Sequence, residues 1–68
     1  MNIQVEKSYR IFFSKGNLNN KKIHVLAIVD SYYIVYKYWS KYKQRWHYQV
    51  EHENYFNMLI KNNQITSK

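Results

Sequence analysis

A chain of 68 residues with one Gly, no Pro and no Cys is shorter than most domains and can bury only about 60% of its unfolded surface. Disulfides and thiolate metal sites are excluded, so a thin core must rely on large side chains or on an oligomer interface. Eleven Lys and Arg against four acids give +7, which draws nucleic acid, nucleotides or acidic protein surfaces and also serves solubility.

In chain order, Tyr9 to Phe13 (Tyr-Arg-Ile-Phe-Phe) reads as a short strand, and Ser14 to Asn20, with Gly16 and three Asn, as a turn. Lys22 to Asp30 alternates, with Ile23, Val25, Ala27 and Val29 on one side and His24, Leu26, Ile28 and Asp30 on the other. Asp30-Ser31 makes a tight connection into a second long strand, Tyr32 to Trp39, and Ser40 to Gln44 turns the chain again. Trp46 to Glu51 returns as a third alternating strand. Beyond it Asn54 is a reasonable helix cap, and Tyr55, Phe56, Met58, Leu59 and Ile60 repeat at helical spacing up to Asn62-Asn63. Gln64 to Thr66 can add a brief closing strand.

This order predicts one mainly β domain over residues 1–68 with a short C-terminal helix. The architecture is a small antiparallel SH3-like barrel or, failing closure, a four-stranded meander with the helix across one face. No apolar run approaches the roughly 20 residues of a membrane span, and the amino terminus lacks a signal peptide's apolar centre. A cytosolic protein is expected.

Register in the central hairpin decides which residues share a face, because a one-residue slip exchanges the two sides of a strand. A five-residue loop pairs Tyr38 with Trp46, Tyr36 with Tyr48 and Ile34 with Val50, giving one wholly apolar face. The other face then carries Trp39 beside Arg45, Lys37 beside His47 and Val35 beside Gln49. A four-residue loop pairs Trp39 with Trp46 and leaves both faces mixed. Polarity favours the first arrangement, in which Trp46 is core and Trp39 is free for a ligand.

Eight Tyr, three Phe and two Trp fill a thin core well, each burying roughly 150–250 Å². Ten of these thirteen lie between Tyr32 and Phe56, more than one layer holds, so some are expected to face a ligand or another subunit. The candidate ligand-binding set is Lys37, Trp39, Arg45 and His47 on the hairpin, with Lys41, Tyr42 and Lys43 in its loop. Arg10 with Tyr9, and Lys21 with Lys22, extend the patch or form a solvated edge. Cations hold phosphate, and rings stack on any base. The competing structural role for these residues is a Trp39–Arg45 cation–π pair.

Catalysis has no sequence signature, since no nucleophile stands with a base and an orienting group. Glu51 and Glu53 read as an exposed strand end. His24, His47 and His52 lie on separate elements without the spacing of a zinc site, and no cofactor is implied.

The segments Ile28-Val29-Asp30, residues 33–40 (Tyr-Ile-Val-Tyr-Lys-Tyr-Trp-Ser), residues 45–51 (Arg-Trp-His-Tyr-Gln-Val-Glu) and Tyr55-Phe56 resemble small uncharacterised proteins carried by bacteriophages and prophages. The likeness covers about residues 22 to 60. It implies an anti-defence accessory protein that inhibits bacterial immunity, for instance as an anti-CRISPR blocking an effector or by sequestering a nucleotide signal. A general nucleic-acid-binding module and a homo-oligomeric interaction protein are the alternatives from the residues themselves.

Overall fold

The structure, a computed structural model, describes residues 2–12 and 20–67. Five antiparallel strands form one sheet in the order β4-β3-β2-β1-β5. The strands are β1 (Ser8–Ile11), β2 (Lys21–Val29), β3 (Tyr33–Ser40), β4 (Arg45–His52) and β5 (Ile65–Ser67), with helix α1 (Glu53–Lys61) between the last two. The chain is mainly β with one helix, as its alternating segments predict. Most of the turn expected over Ser14 to Asn20, and Phe13 before it, lie outside the described residues.

The sheet does not close. β4 and β5 are its two edges and do not pair with each other, so the SH3-like barrel is not formed. The meander is formed, with β5 added to the far side of β1. Closure fails for a steric reason: α1 lies over the face toward which the sheet would have to curl. Phe56 and Leu59 drive the helix onto that face, joining Tyr9, Ile11, Ile23, Val25, Ile34, Tyr36, Tyr38 and Ile65 in a single core. The rings of Phe56 and Tyr36 meet edge to face, with centroids 5.6 Å apart. The helix is capped by His52, not by Asn54. The His52 ring accepts a hydrogen bond from the Asn54 backbone N–H at 3.1 Å, and it can do so because β4 runs straight into the helix and leaves His52 extended.

Two turns set the register. Asp30 and Ser31 both take left-handed backbone, φ 53° and 60°, the pair a type I′ turn requires, and the Tyr32 N–H donates to the Val29 carbonyl at 3.1 Å. Between β3 and β4 the loop has four residues, not five. Ser40 pairs with Arg45, Trp39 with Trp46, Tyr38 with His47 and Lys37 with Tyr48, which overturns the register favoured by polarity. The Ser40 hydroxyl accepts the Lys43 N–H at 3.2 Å, and Gln44 turns left-handed at φ 52°, so the turn closes one residue sooner. Because β4 is an edge strand, its core-side positions need not be apolar, and that frees turn geometry to override polarity.

A bulge in β2 produces a second reversal. Pairing with β3 shifts between Val25 and Ala27, so Ile23, Val25 and then Ile28 lie on the core side while His24, Ala27 and Val29 take the other. The uninterrupted alternation expected from Lys22 to Asp30 therefore holds only as far as Val25.

Candidate functional site

Among the described residues, one side of the sheet has no covering layer. From β1 it carries Ser8 and Arg10; from β2, Lys22, His24, Ala27 and Val29; from β3, Tyr33, Val35, Lys37 and Trp39; from β4, Trp46, Tyr48, Val50 and His52. Tyr33, Tyr48, Val50 and Val29 are exposed there, and Trp39 and Trp46 are each 45% exposed. Large rings thus stand bare beside lysines on a thin domain.

The two indoles, directly opposed across β3 and β4, meet edge to face with centroids 5.5 Å apart at 80°. Lys37 reaches over the Trp46 ring, its Nζ 4.4 Å from the centroid, a contact worth about 0.5–1 kcal/mol at an exposed site. Beside the indoles lies a hollow of about 330 Å³ bordered by Lys22, His24, Lys37 and Ser8. Ser8 Oγ and His24 Nδ1 are 3.0 Å apart, and the other ring nitrogen faces a Glu6 carboxylate oxygen at 3.6 Å, which fixes the imidazole at the hollow's rim. A second hollow of about 370 Å³ lies against Trp39 and Lys22 and is bordered by Arg10, Asn20, Lys21 and Lys41. Arg10 is held there by donating from Nη1 to the Asn20 carbonyl at 3.3 Å.

Four members of the predicted set, Lys37, Trp39, Arg10 and Lys41, thus come together. The others do not. Arg45 and His47 lie on the helix side of the sheet, opposite Lys37 and Trp39, because the four-residue turn shifts all of β4 by one position. His47 packs against Tyr38, with ring centroids 5.2 Å apart, and its Nε2 lies 2.9 Å from the Gln49 side-chain nitrogen. Lys43 joins it in a separate hollow of about 240 Å³ with Lys21, Tyr38 and Ser40. Tyr42 stands at the tip of the turn, 97% exposed. The expected Trp39–Arg45 pair is replaced by Lys37 on Trp46. Trp46 itself is not core, so the expected division, with Trp46 for stability and Trp39 for ligand, does not hold.

No family model, curated protein or solved structure matches this chain.

Charge is polarised along the strands. Arg10, Lys21, Lys22, Lys37, Lys41, Lys43 and Arg45, seven of the eleven Lys and Arg, cluster toward the β3–β4 turn. Asp30, Glu51 and Glu53, three of the four acids, lie at the opposite end, where the Glu53 N–H donates to the Tyr32 carbonyl at 2.7 Å. Among the described residues no group of three His, Asp or Glu is positioned to hold a metal ion. No helix among them is long and apolar enough to cross a membrane. Reasoning from sequence missed Trp46, Tyr48, His24 and Ser8. The Ser40 hydroxyl, well suited to close a short turn, is the signal for the register that exposes Trp46 and Tyr48; Ser8 and His24 carry no such local mark.

Proposed function

We propose that this protein binds nucleic acid or nucleotides, without catalysis, on the open face of its sheet at the basic end. The observation that carries the reading is the Trp39–Trp46 pair, half exposed and ringed by Lys22, Lys37, Arg10 and Lys41. Each stacked base contributes roughly 1–3 kcal/mol whatever its identity, while the cations neutralise phosphate. The likeness of residues 22 to 60 to phage-borne proteins suits one use of such capture: stoichiometric inhibition of bacterial immunity in the host cytosol, by sequestering a nucleotide signal or competing for the nucleic acid of a defence complex.

Fluorescence titration of the full chain with short single-stranded DNA and RNA at two salt concentrations tests the reading. Affinity should fall with salt by about 0.7 log units per log unit for each phosphate held, and Trp39→Ala should weaken binding by about tenfold or more. Absence of binding to oligonucleotides and to nucleotides alike would sink it. A second reading, a homodimer, draws on a different observation: Tyr33, Val29 and Val50 are exposed together at the end of the face away from the lysines, with Tyr48 beside Lys37 at their border, and two +7 chains repel least at that end. An elution volume independent of protein concentration and equal to that of a monomer removes it.

A further inference from the structure

Trp39 and Lys22 belong to both hollows of the open face. The Trp39 indole is therefore a partition, with a compartment on each side. Both volumes, about 330 and 370 Å³, fall in the range that accepts a small planar ligand. The compartments differ in their other walls: the first is bordered by Lys37, His24 and Ser8, with Trp46 meeting the Trp39 indole edge to face at its side, and the second by Arg10 and Lys41. Among the described residues neither is lined by a carboxylate; the Glu6 carboxylate stands behind His24, 3.6 Å from its ring nitrogen.

We infer that the unit recognised is a dinucleotide, with one base on each side of the Trp39 indole and the phosphate that joins them on Lys22. The inference rests on the binding reading above and deepens it. An aromatic ring has two faces, and a ring bounded by two base-sized spaces can stack on two bases at once. A cation common to both spaces is where their linking phosphate must pass. Bases in a duplex are stacked on each other and leave no gap for an indole, so the ligand is unpaired. Two sources supply that chemistry, a cyclic dinucleotide and a single strand of nucleic acid.

Calorimetric titration of the full chain with a mononucleotide, the linear dinucleotide of the same base, a cyclic dinucleotide, a single-stranded oligomer and its duplex decides the matter. The linear dinucleotide should bind about tenfold or more tightly than the mononucleotide, the size of one added stack. Trp39→Ala should abolish that step, Trp39→Phe should retain part of it, and Trp46→Ala should weaken both ligands while leaving part of the step in place; far-UV circular dichroism confirms that each variant folds. A cyclic dinucleotide that binds more tightly than the oligomer identifies a signalling ligand, and the reverse identifies a nucleic acid; either supports the inference. Single strands that bind with no step from mononucleotide to dinucleotide, a step that survives Trp39→Ala, or a duplex that binds as tightly as the single strand would each overturn it while leaving the broader function standing. If none of the five ligands binds, both fall.

Discussion

Tyr36 sits at the centre of the core with no exposed surface, yet its hydroxyl has no hydrogen-bond partner among the described residues. Burial, aided by the negative charge of Glu51, pushes that hydroxyl well above the ordinary phenol value. Removing an unsatisfied buried polar atom is neutral or favourable, so Tyr36→Phe should leave stability at neutral pH unchanged or raise it by about 1 kcal/mol, some 4–8 °C in melting temperature for a domain of this size. The raised value also fixes a sign. The Tyr36 contribution is fully present below the ordinary tyrosine value of about 10 and is lost as pH climbs beyond it toward the folded value. Tyr36→Phe should therefore flatten the alkaline fall in melting temperature, and a variant that melts lower at neutral pH would show that the hydroxyl is bonded after all. Sequence predicts that a surplus of rings must serve two purposes, but at single positions it assigns them wrongly. Trp46 was expected inside and stands half exposed, because an alternating strand looks the same from either side.

Between elements, the junction of β4 and α1 shows how one side chain can end a strand and start a helix. His52 caps α1 through its ring nitrogen while stacking on Tyr32, centroids 5.9 Å apart, and meeting Tyr33 edge-on at 5.6 Å. His52→Ala should cost about 1 kcal/mol and reduce the helical far-UV signal, His52→Asn should restore much of it, and Asn54→Ala should do little. Equal losses at the two positions would return the cap to Asn54. All five strands and the helix are legible in the sequence to within one or two residues, because β-branched and aromatic runs and the helical repeat of Phe56, Leu59 and Ile60 are local signals. The bulge after Val25 is not legible. Leu26, Ala27 and Ile28 are all apolar, so no polar residue marks where the alternation changes phase. The turn at Ser40 was legible but outweighed, since matching polarity across the hairpin assumed a β4 buried on one side, and an edge strand is free of that demand.

Across the whole molecule, whose longest dimension is 30 Å, charge is separated end to end. Net charge was plain from composition and implied an anionic partner; its placement depended on the register and was not. Cations near the indoles should govern the salt dependence of binding, whereas Lys61, in the last turn of α1, belongs to the layer on the other side of the sheet. Lys22→Gln and Lys41→Gln should each lower the slope of log affinity against log salt by about 0.7–0.9, and Lys61→Gln should leave it unchanged. Equal reductions from all three would mean that the ligand senses only the total charge. β4 forms an open margin of the sheet. Among the described strands it pairs only with β3, so along eight residues its outer backbone groups are free, beside the bare side chains of Trp46, Tyr48 and Val50. Such a margin can template a neighbouring chain. In concentrated stocks the empty protein is the form at risk of growing into fibrils, and a ligand of the proposed kind, covering the indoles, would act as its preservative.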